Sequence, residues 1–373
     1  MRGTRSLRIL IINPFGIGDV LFSTPLIRAV RQAFPGAYVA YLGNRRTQEI
    51  LRRNPHLHEL FIYEKDELVG LWKRDRWAGL RATIGLLNDI RRRRFDLSID
   101  LSLGERYSFL LALMGVPRRV GFDFRRRGRF LTHRLAIDGF QDQHVVAYYA
   151  QLLRTIGINL LEHHLQLPTN SEDEQWVERQ LRDYGIDPAA RSRLIGLVPA
   201  GGVSWGGRAQ FRRWSSEGFT AIGRSLTERD EATVLIFGER TDQDICAQIT
   251  QAIGPRAVDL SGRTSLGQFI GLVARCDLVV SSDGGPVHIA ASQGVPTVSI
   301  FGPVDPVVYG PYPSRPHHRI VYKRDLPCRP CYHQFRLPPC PYERACLTQI
   351  EPDDVLEACE AILGSGEPTY VEH

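Results

Sequence analysis

Apolar residues in this chain fall into short unbroken runs, and between the runs they recur with the 3.6-residue spacing of amphipathic helices. In the first half the runs predict strands near Ile9, Val39, Phe61, Leu97 and Val120, separated by helical stretches of which the last covers residues 143–156. In the second half, strands near Ile195, Val234, Val258, Val279 and Val298 alternate with helices near Phe219, Ile245, Phe269 and Ile289. Strands that are apolar throughout suit a parallel sheet covered on both faces, and regular strand–helix alternation predicts two doubly wound α/β sheets. Residues 165–174, LQLPTNSEDE, read as a connector, with a helix through Trp176 and Leu181 beyond it. No internal repeat or low-complexity segment interrupts the pattern.

The turns between these elements carry the candidate chemistry. Residues 278–303 run from an apolar strand through the turn SSDGG into a helix opened by Pro286 and closed at Gly294, then into a second strand and the turn FGP. The fixed φ of Pro286 suits a first helical position. A helix starting there directs unpaired N–H groups and its positive dipole end at the crevice above the strands, where a diphosphate is stabilised without a lysine. A plain βαβ unit with capped turns accounts for the same glycines. A similar turn, PFGIGD, follows the strand at 8–13 and leads into helical spacing at Val20, Leu21, Ile27, Val30 and Phe34. Gly16 and Gly18 suggest a dinucleotide fingerprint, but Leu21 stands where its third glycine is needed, so NAD binding is excluded. Asp19 remains a carboxylate above the C-terminal end of a strand, where open α/β sheets hold their active sites. It reads equally as a helix cap or as a catalytic group.

The second block opens with a strand at 194–198 and the loop PAGGVSWGGRAQFRRW, which brings Arg208, Arg212 and Arg213 ahead of a helix near Ser215. Such arginines either clamp a diphosphate leaving group or lie solvated on the loop. Gly238 and Glu239 end the next strand, and the carboxylate either holds a ribose hydroxyl pair or caps the helix beyond.

Composition narrows the class. With 373 residues, 43% of them hydrophobic, and no apolar run long enough to cross a bilayer, the chain is expected to form two domains. Arg2, Arg5 and Arg8 lead straight into the first strand without a signal-peptide cleavage site, so a cytoplasmic location is expected. The formal charge is +6, and Arg91 to Arg94, Arg118, Arg119, Arg125, Arg126, Arg127 and Arg129 all lie in the first half. Beside them, residues 68–87 are expected to form one helix with Trp72, Trp77, Leu80, Ile84 and Leu87 on one side. That helix either lies on an anionic membrane surface or packs into the core with a solvated basic face. Nucleic acid is not expected as a partner, because no aromatic-interleaved basic motif is present. Cys328, Cys331, Cys340 and Cys346 have a spacing that, in a cytosolic chain, suggests structural zinc more than disulfides, whereas Cys246, Cys276 and Cys359 are scattered and expected to be buried.

Taken together, GDVLFSTPLIRAVRQAFPGAYVAYLG, the PAGG…RRW loop, FGER and SSDGGPVHIAASQGVPTVSIFGPVDP resemble the ADP-heptose:lipopolysaccharide heptosyltransferases of glycosyltransferase family 9, in the right order over nearly the whole chain. The resemblance implies the GT-B fold: two doubly wound Rossmann-like domains facing across a cleft. Residues 1–168 would bind the acceptor and residues 169–351 the nucleotide sugar, with residues 352–373 packing back on the first domain. It implies an inverting transfer from ADP-heptose to a lipid-linked inner-core acceptor at the inner face of the cytoplasmic membrane, with no cofactor and no metal. By matching motifs, Asp19 is the base beside Gly18, and Arg212 takes the place of the family's phosphate-contacting lysine, with Arg213 next to it. Glu239 contacts ribose, Thr264 lies on the adenine side, and Asp283, Gly284, Gly285 and His288 form the sugar and phosphate turn. The cysteines of the tail carry no implied metal in the family, and none is assigned here. The alternatives are a related transferase using another nucleotide sugar for a different surface glycan, or a non-catalytic nucleotide-sugar or polyanion binder at the membrane.

Overall fold

The computed structural model describes residues 6–186, 192–201 and 206–364, without the side chains of Lys65, Asp66, Leu68 and Trp72. The loop segment 202–205, the Trp72 side chain and the tail beyond 364 therefore lie outside the described residues. The chain divides into two units, Met1–Gln166 and Leu167–His373, two residues ahead of the expected boundary.

The first unit is a parallel sheet of β1 (Arg8–Ile12), β2 (Tyr38–Gly43), β3 (Glu59–Ile62), β4 (Leu97–Asp100), β5 (Arg118–Phe124) and β6 (His133–Ile137) in the order β3-β2-β1-β4-β5-β6. Its helices are α1 (Ile17–Phe22), α2 (Thr24–Ala33), α3 (Gln48–Arg52), α4 (Lys65–Arg74), α5 (Arg76–Arg93), α6 (Glu105–Leu113) and α7 (Val145–Arg154). The second unit repeats the plan with β7 (Leu194–Val198), β8 (Thr233–Ile236), β9 (Ala257–Asp259), β10 (Leu278–Ser282), β11 (Thr297–Ile300) and β12 (His318–Val321), ordered β12-β11-β10-β7-β8-β9. Around it lie α8 (Ser171–Asp183), α9 (Ser216–Arg229), α10 (Gln243–Ile253), α11 (Leu266–Val273), α12 (Gly285–Ser292), α13 (Pro306–Tyr309), α14 (Ala345–Thr348) and α15 (Pro352–Leu363). The expected pair of doubly wound, Rossmann-like α/β sheets is present, and each sheet gains a sixth strand, β6 and β12, that the apolar pattern did not reveal. Neither is an unbroken apolar run: β6 alternates half-buried with exposed positions, and only the first residue of β12 is buried.

In both sheets the strand order reverses next to the unit's first strand, between β1 and β4 and between β7 and β10. An open α/β sheet forms its crevice at that point, outside the carboxyl ends of the strands. Both turns singled out from the sequence, PFGIGD after β1 and SSDGG after β10, stand there.

Two expectations are corrected. The helical stretch from Val20 begins earlier, at Ile17, and divides at Ser23 into α1 and α2. Pro25 lacks the N–H that would continue the ladder, and the Ser23 and Thr24 hydroxyls donate back to the carbonyls of Val20 and Leu21, both at 2.7 Å. The single helix expected over 68–87 is α4 and α5, divided at Asp75, whose extended backbone and carboxylate cap α5 by accepting the N–H groups of Trp77 and Ala78 at 2.9 and 3.0 Å. Within the second unit, α15 spends its apolar face on the core that includes Phe219 and Leu226, which Val355 and Cys359 join. Lys323 Nζ tethers it to Asp354 at 2.7 Å.

Candidate functional site

In the first unit β1 delivers its chain into a turn tied by asparagines. Asn13 accepts the N–H of Phe15 at 3.2 Å and donates to the Asp19 carbonyl at 3.0 Å, while Asn44, just past β2, donates to the Pro14 and Phe15 carbonyls at 3.0 and 2.6 Å. These bonds fix the half-buried Asp19 in the first turn of α1, where its Oδ2 accepts the N–H of Gly16 at 3.3 Å. The cap reading is thus real in geometry, through a contact at the long end of the hydrogen-bond range. Gly18 is its neighbour in the same helical turn. Below it lie the fully buried Tyr41 and Tyr149, whose phenols are raised first by burial and further by the Asp19 charge.

A residue the sequence reading passed over shares this edge. Asp100 ends β4 and pairs in register with Ile12 of β1, on the other side of the switch point. It is 3% exposed, its Oδ1 accepts the Ser102 N–H at 2.9 Å, and its Oδ2 is buried with no hydrogen-bond partner among the described residues. Burial pushes its carboxyl up to about 6. The signal was present: an acid closing an apolar strand, LSID, ahead of a serine and glycine turn.

In the second unit the turns after β7 and β10 are pressed together. A Cβ on Gly284 would fall 1.8 Å from the Gly201 carbonyl oxygen, and Gly201 itself has φ +63°. Only glycines allow this approach. It places the N-terminus of α12, with Pro286 in its first turn, at the crevice. His288 is buried within that helix, 4% exposed.

Arg212 is not placed as a simple loop clamp. Its Nε donates to Asp283 Oδ2 at 2.9 Å and its second terminal nitrogen lies 2.6 Å from Oδ1, a bidentate pair with both side chains almost wholly out of solvent. The structure thus brings two candidate residues together, and each offsets the other's charge. Arg213 donates to the Ala200 carbonyl and to Asp242, both at 3.0 Å, while Asp242 also accepts the Glu239 N–H at 3.0 Å. Arg213 and Asp242 are therefore a brace between the turns after β7 and β8. Glu239 itself is exposed at the carboxyl edge, Thr264 is half-buried in the loop before α11, and Arg208 sits apart, reaching the Leu337 carbonyl at 3.3 Å. Ser282 ties the floor: its hydroxyl accepts the Trp214 N–H and donates to the Pro199 carbonyl, both at 3.1 Å.

Cys246, Cys276 and Cys359 are buried free thiols, as expected. In the loop of the other four, Cys331 donates to the Cys328 carbonyl at 2.9 Å and Cys340 accepts the Arg344 N–H at 3.3 Å. Among the described residues no three His, Cys, Asp or Glu side chains are gathered as metal ligands.

Residues 84–339 match the model of glycosyltransferase family 9 (heptosyltransferase). The chain is 22% identical over 366 residues to lipooligosaccharide heptosyltransferase 2 of Campylobacter jejuni, covering 96% of this chain and 98% of that protein. Among solved structures it resembles a family 9 glycosyl transferase of Veillonella parvula (TM-score 0.76, 22% identity) and the ADP-heptose lipopolysaccharide heptosyltransferase II of Escherichia coli (TM-score 0.71, 23% identity). Each covers 96% of this chain and 98% of the other.

Proposed function

The chain belongs to glycosyltransferase family 9, and from that premise we propose that it transfers a heptose from ADP-heptose to an inner-core lipopolysaccharide acceptor with inversion at the anomeric carbon. The observation that carries the reading is the placement of a half-buried carboxylate, Asp19, at one sheet's switch point and a glycine-tight helix start at the other's. Full-length similarity to heptosyltransferases, one of them described as acting with ADP-heptose, supports the choice of donor.

In this mechanism Asp19 takes the proton of the attacking acceptor hydroxyl as its oxygen bonds to the anomeric carbon. The bond from that carbon to the diphosphate breaks, and ADP leaves with the electron pair. The leaving charge is met by the N-terminus of α12 and by Arg212, whose guanidinium Asp283 holds in one orientation. Glu239 and Thr264 serve the nucleoside, and His288 supports α12 from inside. Arg213 acts as a brace. The first unit's exposed arginines, with Trp77 on α5, bring the enzyme reversibly to the inner face of the cytoplasmic membrane.

Asp19→Asn keeps an oxygen to accept the Gly16 N–H and removes the base. It should lower kcat by about a hundredfold or more while calorimetry shows ADP affinity unchanged. Near-wild-type turnover would make Asp19 a cap and end the mechanism, and stabilisation by UDP or GDP in preference to ADP would end the choice of donor.

A further inference from the structure

The first unit holds a cavity of about 690 Å³ between α5, α6 and the β1–β2 end of the sheet, which the mechanism above does not use. The volume lies within the range of roughly 300–1,000 Å³ typical of ligand pockets. Its walls are apolar: Ile12, Leu42, Leu86, Ile90, Leu111 and Met114. Among its polar lining groups, Thr83 spends its hydroxyl on the Gly79 carbonyl at 2.8 Å, and the buried Ser102 hydroxyl has no partner among the described residues. The exposed lining residues are basic. Arg106 and Arg127 reach solvent, while the one lining carboxylate, Glu105, is paired with Arg129 at 3.0 Å.

The same two helices are unusually greasy outside. Of the nine large apolar or tyrosine side chains exposed among the described residues, four lie on α5 and α6: Trp77, Ile84, Phe109 and Leu113. Singly exposed hydrophobes need no explanation, but their concentration on the helices that wall a cavity does. An apolar slot, a basic rim and an apolar surround together match one kind of ligand, an amphiphile with an alkyl tail and an anionic head.

We propose that this cavity takes an acyl chain of the lipid-linked acceptor, with Arg106 and Arg127 on an anionic group at the chain's head; the assignment to the acceptor rests on the function proposed above. The chain then anchors the acceptor in the first unit, the unit that carries Asp19.

The test has a binding arm and a transfer arm. Calorimetry on the full chain, using dodecyl phosphate below its micellar concentration, should show binding that inorganic phosphate at the same concentration lacks. Leu86→Trp and Leu110→Trp, both at residues that line the cavity and so fill the slot, should each weaken it at least tenfold. Arg106→Ala/Arg127→Ala, at exposed positions that do not hold the fold, should weaken it severalfold and flatten its salt dependence. In the transfer arm, Leu86→Trp should raise KM for the acylated acceptor about tenfold and leave KM for the same acceptor stripped of its acyl chains unchanged. Dodecyl phosphate binding that no variant alters would overturn the cavity site. Equal KM shifts for both acceptors would overturn its assignment to the acyl chain. No transfer by the wild type to either acceptor, with the binding arm as expected, would instead overturn the proposed function.

Discussion

Three charged residues at the sheet edges set the sharpest expectations. Arg212 and Asp283 form a pair whose side chains are 13% and 0% exposed, so removing one partner strands a buried charge. Breaking such a pair typically costs about 3–5 kcal/mol. Arg212→Ala should therefore lower the urea midpoint markedly as well as weaken ADP binding, and a variant as stable as the wild type would mean that the pair is not maintained in solution. Asp100 presents the opposite case, a carboxyl whose folded-state value of about 6 lies above the ordinary range. The folded protein then binds more protons at this site than the unfolded chain between about pH 4 and 6, so stability falls as pH rises through that window. Above it, ionised Asp100 costs on the order of 3 kcal/mol. Asp100→Asn should be more stable than the wild type at pH 7, with the difference vanishing near pH 4. Identical pH profiles for the two proteins would show that the carboxyl is not held in a dry site. A side chain kept at such a cost beside the Asp19 turn is a functional candidate in its own right.

At the level of elements, the site depends on two turns touching backbone to backbone. Gly284→Ala places a methyl group 1.8 Å from the Gly201 carbonyl oxygen, and since both neighbours are backbone, relief requires one turn to move. The variant should lose several degrees of thermal stability and most of its ADP affinity together. Retention of wild-type ADP affinity would separate the α12 start from the nucleotide. The division of residues 68–87 at Asp75 matters in the same way. It turns the expected single helix into α4 and α5, and of the two alternatives the sequence left open, the exposure of Trp77 (74%) and Ile84 (46%) disfavours the core-packed one. α5 thus presents an apolar surface near the arginines at its C-terminal end.

Across the whole molecule, that surface carries the membrane prediction. Each basic group near an anionic bilayer contributes roughly 1 kcal/mol and is screened within a Debye length. Co-sedimentation should therefore require anionic lipid, fall with added salt, and fall further in a variant with Arg91, Arg92, Arg125 and Arg126 replaced by serine. Equal sedimentation with neutral vesicles would assign these arginines to the acceptor or to solvent. No described helix is long and apolar enough to cross a membrane, so attachment by this face would be peripheral.

Much of this was legible in the one-dimensional pattern, because it is local. Unbroken apolar runs reported buried parallel strands, glycine and proline reported turns and helix starts, and the order of motifs reported the family. What the sequence did not contain was which turn lies beside which. Strand order follows from pairing between residues far apart in the chain, so only the folded sheets showed that the turns after β1 and β10 stand at switch points and that Gly201 and Gly284 meet. Pairing decided the charges as well. Asp283, 71 residues away, holds the Arg212 guanidinium, and burial removes the water around Asp100, a strand-end acid that the local pattern did not single out. Residue types and local spacing fix what each group can do, while the neighbours that tertiary packing supplies fix its charge, its exposure and the ligand it can meet.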